Sequence, residues 1–203
     1  RDLHSFPTRR SSDLVVERAV EIALARRERK WGTGYRGFTV EADGMVTIEE
    51  DLFRRDTAMN SMAMELPGER LIDPYGGQSD IENHLIRAVS PHFTDDPVRA
   101  LRAARQAAEF EFSVSPETIS YMAACRKELC REPGERILGE LTRALASPRP
   151  SIFFRVLQQA DLLAAVFPEI HALIGKTQPI FFHPEGDAFE HRSEEHTSEL
   201  QSR

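Results

Sequence analysis

From Ser79 onward, apolar residues recur at helical spacing almost without a break, and Pro97, Pro116, Pro133 and Pro150 stand near the starts of successive periodic stretches. Proline is tolerated in the first turn of a helix and disrupts its interior, so this punctuation predicts separate helices over 79–88, 96–110, 116–129, 134–146 and 151–164. The preceding third reads differently. Val15 to Ala25 alternates as a strand does, Arg26 to Arg36 is basic and glycine-punctuated like a loop, and Gly37 to Val40 returns as a short strand. Thr47 and Glu50 form a capping box for a helix running towards Arg54-Arg55-Asp56, with a second helix over Thr57 to Met64. Leu71-Ile72-Asp73 is a brief strand closed by Pro74-Tyr75-Gly76-Gly77, whose glycines read equally as a hinge or a strand-to-helix turn. The expected class is therefore α+β, with a small sheet and helices over 15–77, then helices alone over 78–148 and 149–191.

The two ends do not fit this pattern. Residues 1–14, with SFPTRRSSDL from Ser5, and residues 192–203 (RSEEHTSELQSR) resemble in-frame translation of sequencing-library adaptors and are set aside. The reading expects the natural segment, about Val15 to His191, to be a fragment. The net charge of −7 argues against non-specific coating of nucleic acid but leaves room for a local basic groove. No run of 18 apolar residues occurs, so no membrane span is expected. Cys125 and Cys130 suit neither a disulfide framework nor a CxxC knuckle, so a reducing, cytoplasmic setting is expected.

Two charged constellations can carry chemistry. Arg54 and Arg55 beside Asp56 suit a nucleoside triphosphate, the guanidinium forks taking phosphate oxygens and the carboxylate a ribose hydroxyl; a solvated helix end has the same composition. In Asp95-Asp96-Pro97-Val98-Arg99-Ala100-Leu101-Arg102-Ala103-Ala104-Arg105, the arginines recur every three residues along one helix face, while Val98, Leu101, Ala104 and Ala108 turn to another. Asp96 and Arg99 are either an ordinary i,i+3 ion pair or a base reader. Cytosine and adenine present an amino donor beside ring acceptors, which a carboxylate–guanidinium pair matches, whereas uracil and the guanine Watson–Crick edge present a carbonyl instead. His183, Asp187 and His191 are spaced for a metal, but Pro184 and Gly186 break the helix that would align them.

Taken in order, the motifs ARRERKWGTGYRGF, EEDLFRRDTAMNSMA, LIDPYGGQSDI, FTDDPVRALRAARQAAEF and FHPEGDAFEH resemble bacterial class II tRNA nucleotidyltransferases, the CCA-adding enzymes of the polymerase β superfamily. The resemblance implies a truncated catalytic head followed by a helical neck and body, acting on the tRNA 3′ end with CTP and ATP. It places the Arg54-Arg55-Asp56 motif on the incoming nucleotide, with Arg55 on triphosphate and Asp56 on ribose, Asp96 and Arg99 on the base, and Arg102 and Arg105 towards the triphosphate. It implies Mg2+, with Glu21 matching one carboxylate of the metal site and His191 the first histidine of an HD-type site. The family's Asp-x-Asp pair has no counterpart in the chain, so the chain itself is expected to be inactive. Its EDxxR motif begins here with Asp95, a shortening expected to weaken the positioning of Arg99. A bacterial poly(A) polymerase and a non-catalytic RNA- or nucleotide-binding module are the alternative readings.

Overall fold

The computed structural model describes residues 23–30, 32, 38–42 and 45–176. It opens with an antiparallel ribbon of β1 (Arg26–Lys30) and β2 (Phe38–Ala42), paired from Arg26↔Ala42 to Lys30↔Phe38. This corrects the loop expected from Arg26: residues 23–25 are irregular and the strand begins where the basic run begins. Cross-strand backbone bonds hold such a ribbon, so it needs no apolar alternation to reveal it. Residues 15–22 of the expected first strand lie outside the described residues.

α1 (Ile48–Phe53) starts at Thr47 with both bonds of the capping box in place: Glu50 N–H donates to Thr47 Oγ1 at 3.3 Å and Thr47 N–H to Glu50 Oε2 at 3.0 Å. The helix expected over Thr57 to Met64 is absent. A 3-10 turn at Ala58–Asn60 leads instead into β3 (Ala63–Glu65), antiparallel to β4 (Arg70–Ile72). The reason is non-local. Ala58 N–H donates to the Arg87 carbonyl (2.9 Å), Val89 N–H donates to the Asp56 carbonyl (3.3 Å), and Thr57 bridges Ala88, so distant backbone takes the groups a helix would use.

The glycine pair forms a turn. Gly76 takes φ +74° and Asp73 accepts from Gly77 N–H (2.7 Å) and Gln78 N–H (2.9 Å), starting α2 (Gly77–Glu82). His84, at φ 51°, ends this helix short of the expected residue 88. β5 (Leu85–Ile86) follows and pairs in parallel with β6 (Ser113–Val114). Between them a 3-10 turn at Pro91–Asp95 precedes α3 (Val98–Phe110). The remaining helices are α4 (Pro116–Ala124), α5 (Arg126–Leu129), α6 (Gly134–Leu145), α7 (Pro150–Gln159), α8 (Leu163–Val166) and α9 (Pro168–His171). The expected 116–129 helix breaks at Cys125, and 151–164 breaks at Asp161, whose φ is 55°.

α3 is the spine of the core. Ala100, Ala103, Ala104, Ala107 and Ala108 are fully buried with Leu101, in one cluster with Phe153, Phe154 and Leu157 of α7. Small residues on one helix let a partner carrying aromatics approach closely and fill the space between. The opposite edge of α3 is left to Arg99, Arg102 and Arg105, which are only partly covered. The class is α+β, with three small two-stranded sheets among the described residues and no closed barrel. Cys125 is buried and Cys130 exposed, both unbridged. Among the described residues no helix is long and apolar enough to cross a membrane.

Candidate nucleotide-binding cleft

α1 ends with its charged residues already organised. Asp51, buried inside the helix end, accepts from Arg54 Nη2 (2.7 Å), Arg55 Nη2 (3.2 Å) and Arg26 N–H of β1 (3.2 Å). Burial alone would raise its pKa, but hydrogen bonds from Arg54 and Arg26 N–H, with the charge of Arg54 and a bond from Arg55, hold it below the usual carboxylate value. The two guanidiniums are thus held beside one anion. Arg54 is mostly covered, whereas Arg55 is 43% exposed and is the more available to an incoming anion.

Asp56 is only 6% exposed. Oδ2 accepts from Arg102 Nε at 2.7 Å, while Oδ1 accepts from Thr57 N–H (2.9 Å) and Asn60 Nδ2 (3.4 Å). Desolvation opposes this charge, but the Arg102 charge and hydrogen bond, with the Thr57 and Asn60 bonds, outweigh it and keep the pKa low. In the same way burial opposes the charge on Arg102, and Asp56 more than restores it. The pair joins the loop after α1 to α3, 46 residues later in sequence.

At the start of α3 the simple i,i+3 ion pair between Asp96 and Arg99 does not form. Asp96 Oδ1 accepts from Val98 N–H (3.2 Å) and Oδ2 from Arg136 Nη2 of α6 (2.7 Å). Arg99 Nη1 instead donates to the His92 carbonyl at 2.8 Å. Asp95 does not touch Arg99; its Oδ2 meets His92 Nδ1 at 2.7 Å. Arg105 turns away from the others and is bound by Glu140 (2.7 Å) and by Glu109.

Arg54, Arg55, Asp56, Asp96, Arg99 and Arg102 therefore converge on one open cleft of about 760 Å³, and Arg105 alone of the predicted nucleotide contacts is not on its wall. α6 supplies the wall facing α3, with Glu135, Arg136, Gly139, Glu140 and Arg143. Seven arginines and four carboxylates line the space, a basic groove in a chain of net charge −7. Such a lining attracts a polyanion and can also offer acceptors to a base edge. Asp51 was findable from its i,i+3 and i,i+4 spacing to Arg54 and Arg55. Arg136 and Arg143 had no local signal, because which face of α6 meets the cleft is decided by packing. Glu21 and His191 lie outside the described residues. Among the described residues no three His, Cys, Asp or Glu side chains cluster to hold a metal.

Two family models match the chain: the poly A polymerase head domain over residues 8–87, and the probable RNA and SrmB-binding site of polymerase A over 111–174. The first match begins inside the segment set aside as adaptor-like. The chain is similar to the multifunctional CCA protein of Stenotrophomonas maltophilia (strain R551-3), at 49% identity over 177 residues, covering 85% of this chain and 44% of that protein. Its fold is similar to an apo CCA-adding enzyme (TM-score 0.62, 33% identity, 72% of this chain and 35% of the other). It is also similar to a CCA-adding enzyme in complex with CTP (TM-score 0.55, 35% identity, 60% and 31%). Further similar structures are complexes of CCA-adding enzymes with ATP and, for the Thermotoga maritima enzyme, with tRNA. The chain thus spans less than half the length of the curated relative it matches. On the agreement of both family models, the near-half identity and the shared fold, the chain belongs to the CCA-adding nucleotidyltransferase family.

Proposed function

We propose that the cleft binds CTP and ATP, and that the protein to which this chain belongs adds CCA to tRNA 3′ ends. One observation carries the reading: residues from the segment after α1 and from the start of α3 bring phosphate-type and base-type contacts to the same 760 Å³ space. Arg55 and Arg102 suit triphosphate oxygens as charged, directional donors. Asp96 accepts from the exocyclic amine of cytosine or adenine while Arg99 donates to the neighbouring ring acceptor. Each Asp96 oxygen holds one protein donor and keeps a lone pair for this. Asp56 fixes Arg102 through Oδ2, and that oxygen keeps a lone pair for a ribose hydroxyl, the role the family resemblance implies. Arg105 acts at one remove through Glu140.

The reaction proposed for the parent is phosphoryl transfer. The RNA 3′ oxygen bonds to the α-phosphorus of the nucleotide, the α–β bridging P–O bond breaks, the hydroxyl proton is released and pyrophosphate leaves. No two aspartates in the sequence are spaced two apart, so we propose that the chain by itself binds nucleotide without turnover. The division into partial head (15–77), neck (78–148) and body (149–191), and a cytoplasmic setting, belong to the same proposal.

Equilibrium titration with the four ribonucleoside triphosphates tests it. CTP and ATP are expected to bind at least about tenfold more tightly than UTP and GTP, since a wrong base leaves polar groups unpaired. Equal affinity for all four would remove the base-reading role, and incorporation of labelled CMP into CCA-less tRNA by this chain would refute its inactivity. A poly(A) polymerase is the second reading, favoured by the head-domain match. The parent protein given CTP alone separates the two, because a poly(A) polymerase leaves it unused.

A further inference from the structure

A second, smaller pocket of about 320 Å³ adjoins the arginine cleft and shares Arg54 with it. Its walls are three rings. Phe53 lies 5.6 Å from Tyr75 at 43° and 5.6 Å from His92 at 78°. Both flanking rings are tethered by their polar atoms: Tyr75 Oη donates to the Glu49 carbonyl (2.9 Å) and His92 Nδ1 meets Asp95 (2.7 Å). Phe53 is 40% exposed between them. Arg27 Nη2, also on this wall, donates to both Glu50 oxygens, Oε1 at 2.6 Å and Oε2 at 2.8 Å.

A partly exposed aromatic ring between two fixed rings suits a flat, weakly polar ligand, and nucleobases stack on aromatic side chains whatever their identity. The volume is in the range of small-molecule sites. Phosphoryl transfer requires the terminal nucleotide of the acceptor to lie beside the triphosphate, and Arg54 is the wall common to both spaces. Resting on the function proposed above, we infer that Phe53, Tyr75 and His92 hold the base of the unpaired 3′-terminal nucleotide of the acceptor RNA. His92 links the two sites. Its ring faces the acceptor base, while its carbonyl holds the Arg99 guanidinium that reads the incoming one. The shortened acidic residue Asp95 thereby acts through His92, as a positioning residue.

The test uses the whole chain and a short single-stranded RNA carrying 2-aminopurine as its 3′-terminal base, titrated with and without saturating CTP. Stacking quenches the fluorophore in the wild type and in Phe53→Tyr. Phe53→Leu keeps an apolar side chain and loses the ring; it lowers RNA affinity about tenfold and abolishes the quench, with CTP affinity unchanged. Wild-type affinity and quenching in Phe53→Leu would overturn the inference, as would displacement of the RNA by CTP. CTP binding with no quench in the wild type sinks the pocket alone, whereas absence of CTP binding sinks the cleft reading and this one with it.

Discussion

Gly77→Ala adds one methyl group where two chain segments already touch. A Cβ built there falls 2.5 Å from the Ala58 carbonyl oxygen and 2.8 and 2.9 Å from Met62 Cγ and Sδ. Real Cβ atoms essentially never come within 3.0 Å of such a neighbour, so Ala58 must retreat by half an ångström or more. Met62 can swing aside, but Ala58 cannot: it is fully buried, its N–H is bonded to Arg87 and its carbonyl to Ser61 N–H, both at 2.9 Å. Overpacking of this kind costs about 2–3 kcal/mol. Gly76→Ala is the control. Its Cβ meets only Arg87 Nη2, at 3.5 Å, so the cost is that of a left-handed φ of +74°, about 1 kcal/mol. Urea unfolding of both variants against the wild type measures the difference. The variant at Gly77 is expected to lose at least about twice the stability of the variant at Gly76. A loss at Gly76 equal to or larger than that at Gly77 would refute the steric argument and make this segment a conformational hinge.

Asp56→Asn is expected to cost about 2–3 kcal/mol at neutral pH, less than most broken buried pairs because Arg102 remains 38% exposed. The folded-state pKa of Asp56 is lowered, so its contribution is present above the unfolded value of about 3.9 and is lost as pH falls through the folded value. Stability curves of wild type and variant should therefore converge in acid; a constant gap down to pH 2 would contradict the linkage. Thr47→Ala removes the hydroxyl half of the capping box and is expected to cost about 1 kcal/mol in the same unfolding assay, with no change if the first turn of α1 frays freely. Arg99→Ala is expected to weaken CTP and ATP about tenfold and to erase their advantage over UTP, read by isothermal titration; retained selectivity would place base reading elsewhere.

Local chemistry in the sequence was legible where it acts over one turn. The Thr47–Glu50 box, the prolines at helix starts and the split of α3 into an alanine face and an arginine edge all needed only neighbours three or four residues away. What escaped was decided by partners far along the chain. Thr57 looks helical until Ala88 pairs with it, and Leu85-Ile86 becomes a strand only beside Ser113-Val114. Asp96 and Arg99 have ideal spacing for each other, yet Arg136, 40 residues on, takes the carboxylate. Arg105 follows the period of the arginine row but meets Glu140, 35 residues later. Six of the seven expected nucleotide contacts line one cleft, but their pairing was not readable, because pairing is a property of α6 against α3.

The alanine flank of α3 gives the cleft a second point of control. Those five methyl groups set the standoff from the aromatic rings of α7. The arginine row is cut into the same rigid rod, so any change of thickness on the hidden side moves the whole row against α6. Under the proposed function, a substitution at Ala103 or Ala107 can therefore alter the gauge of the cleft while every residue lining it stays the same.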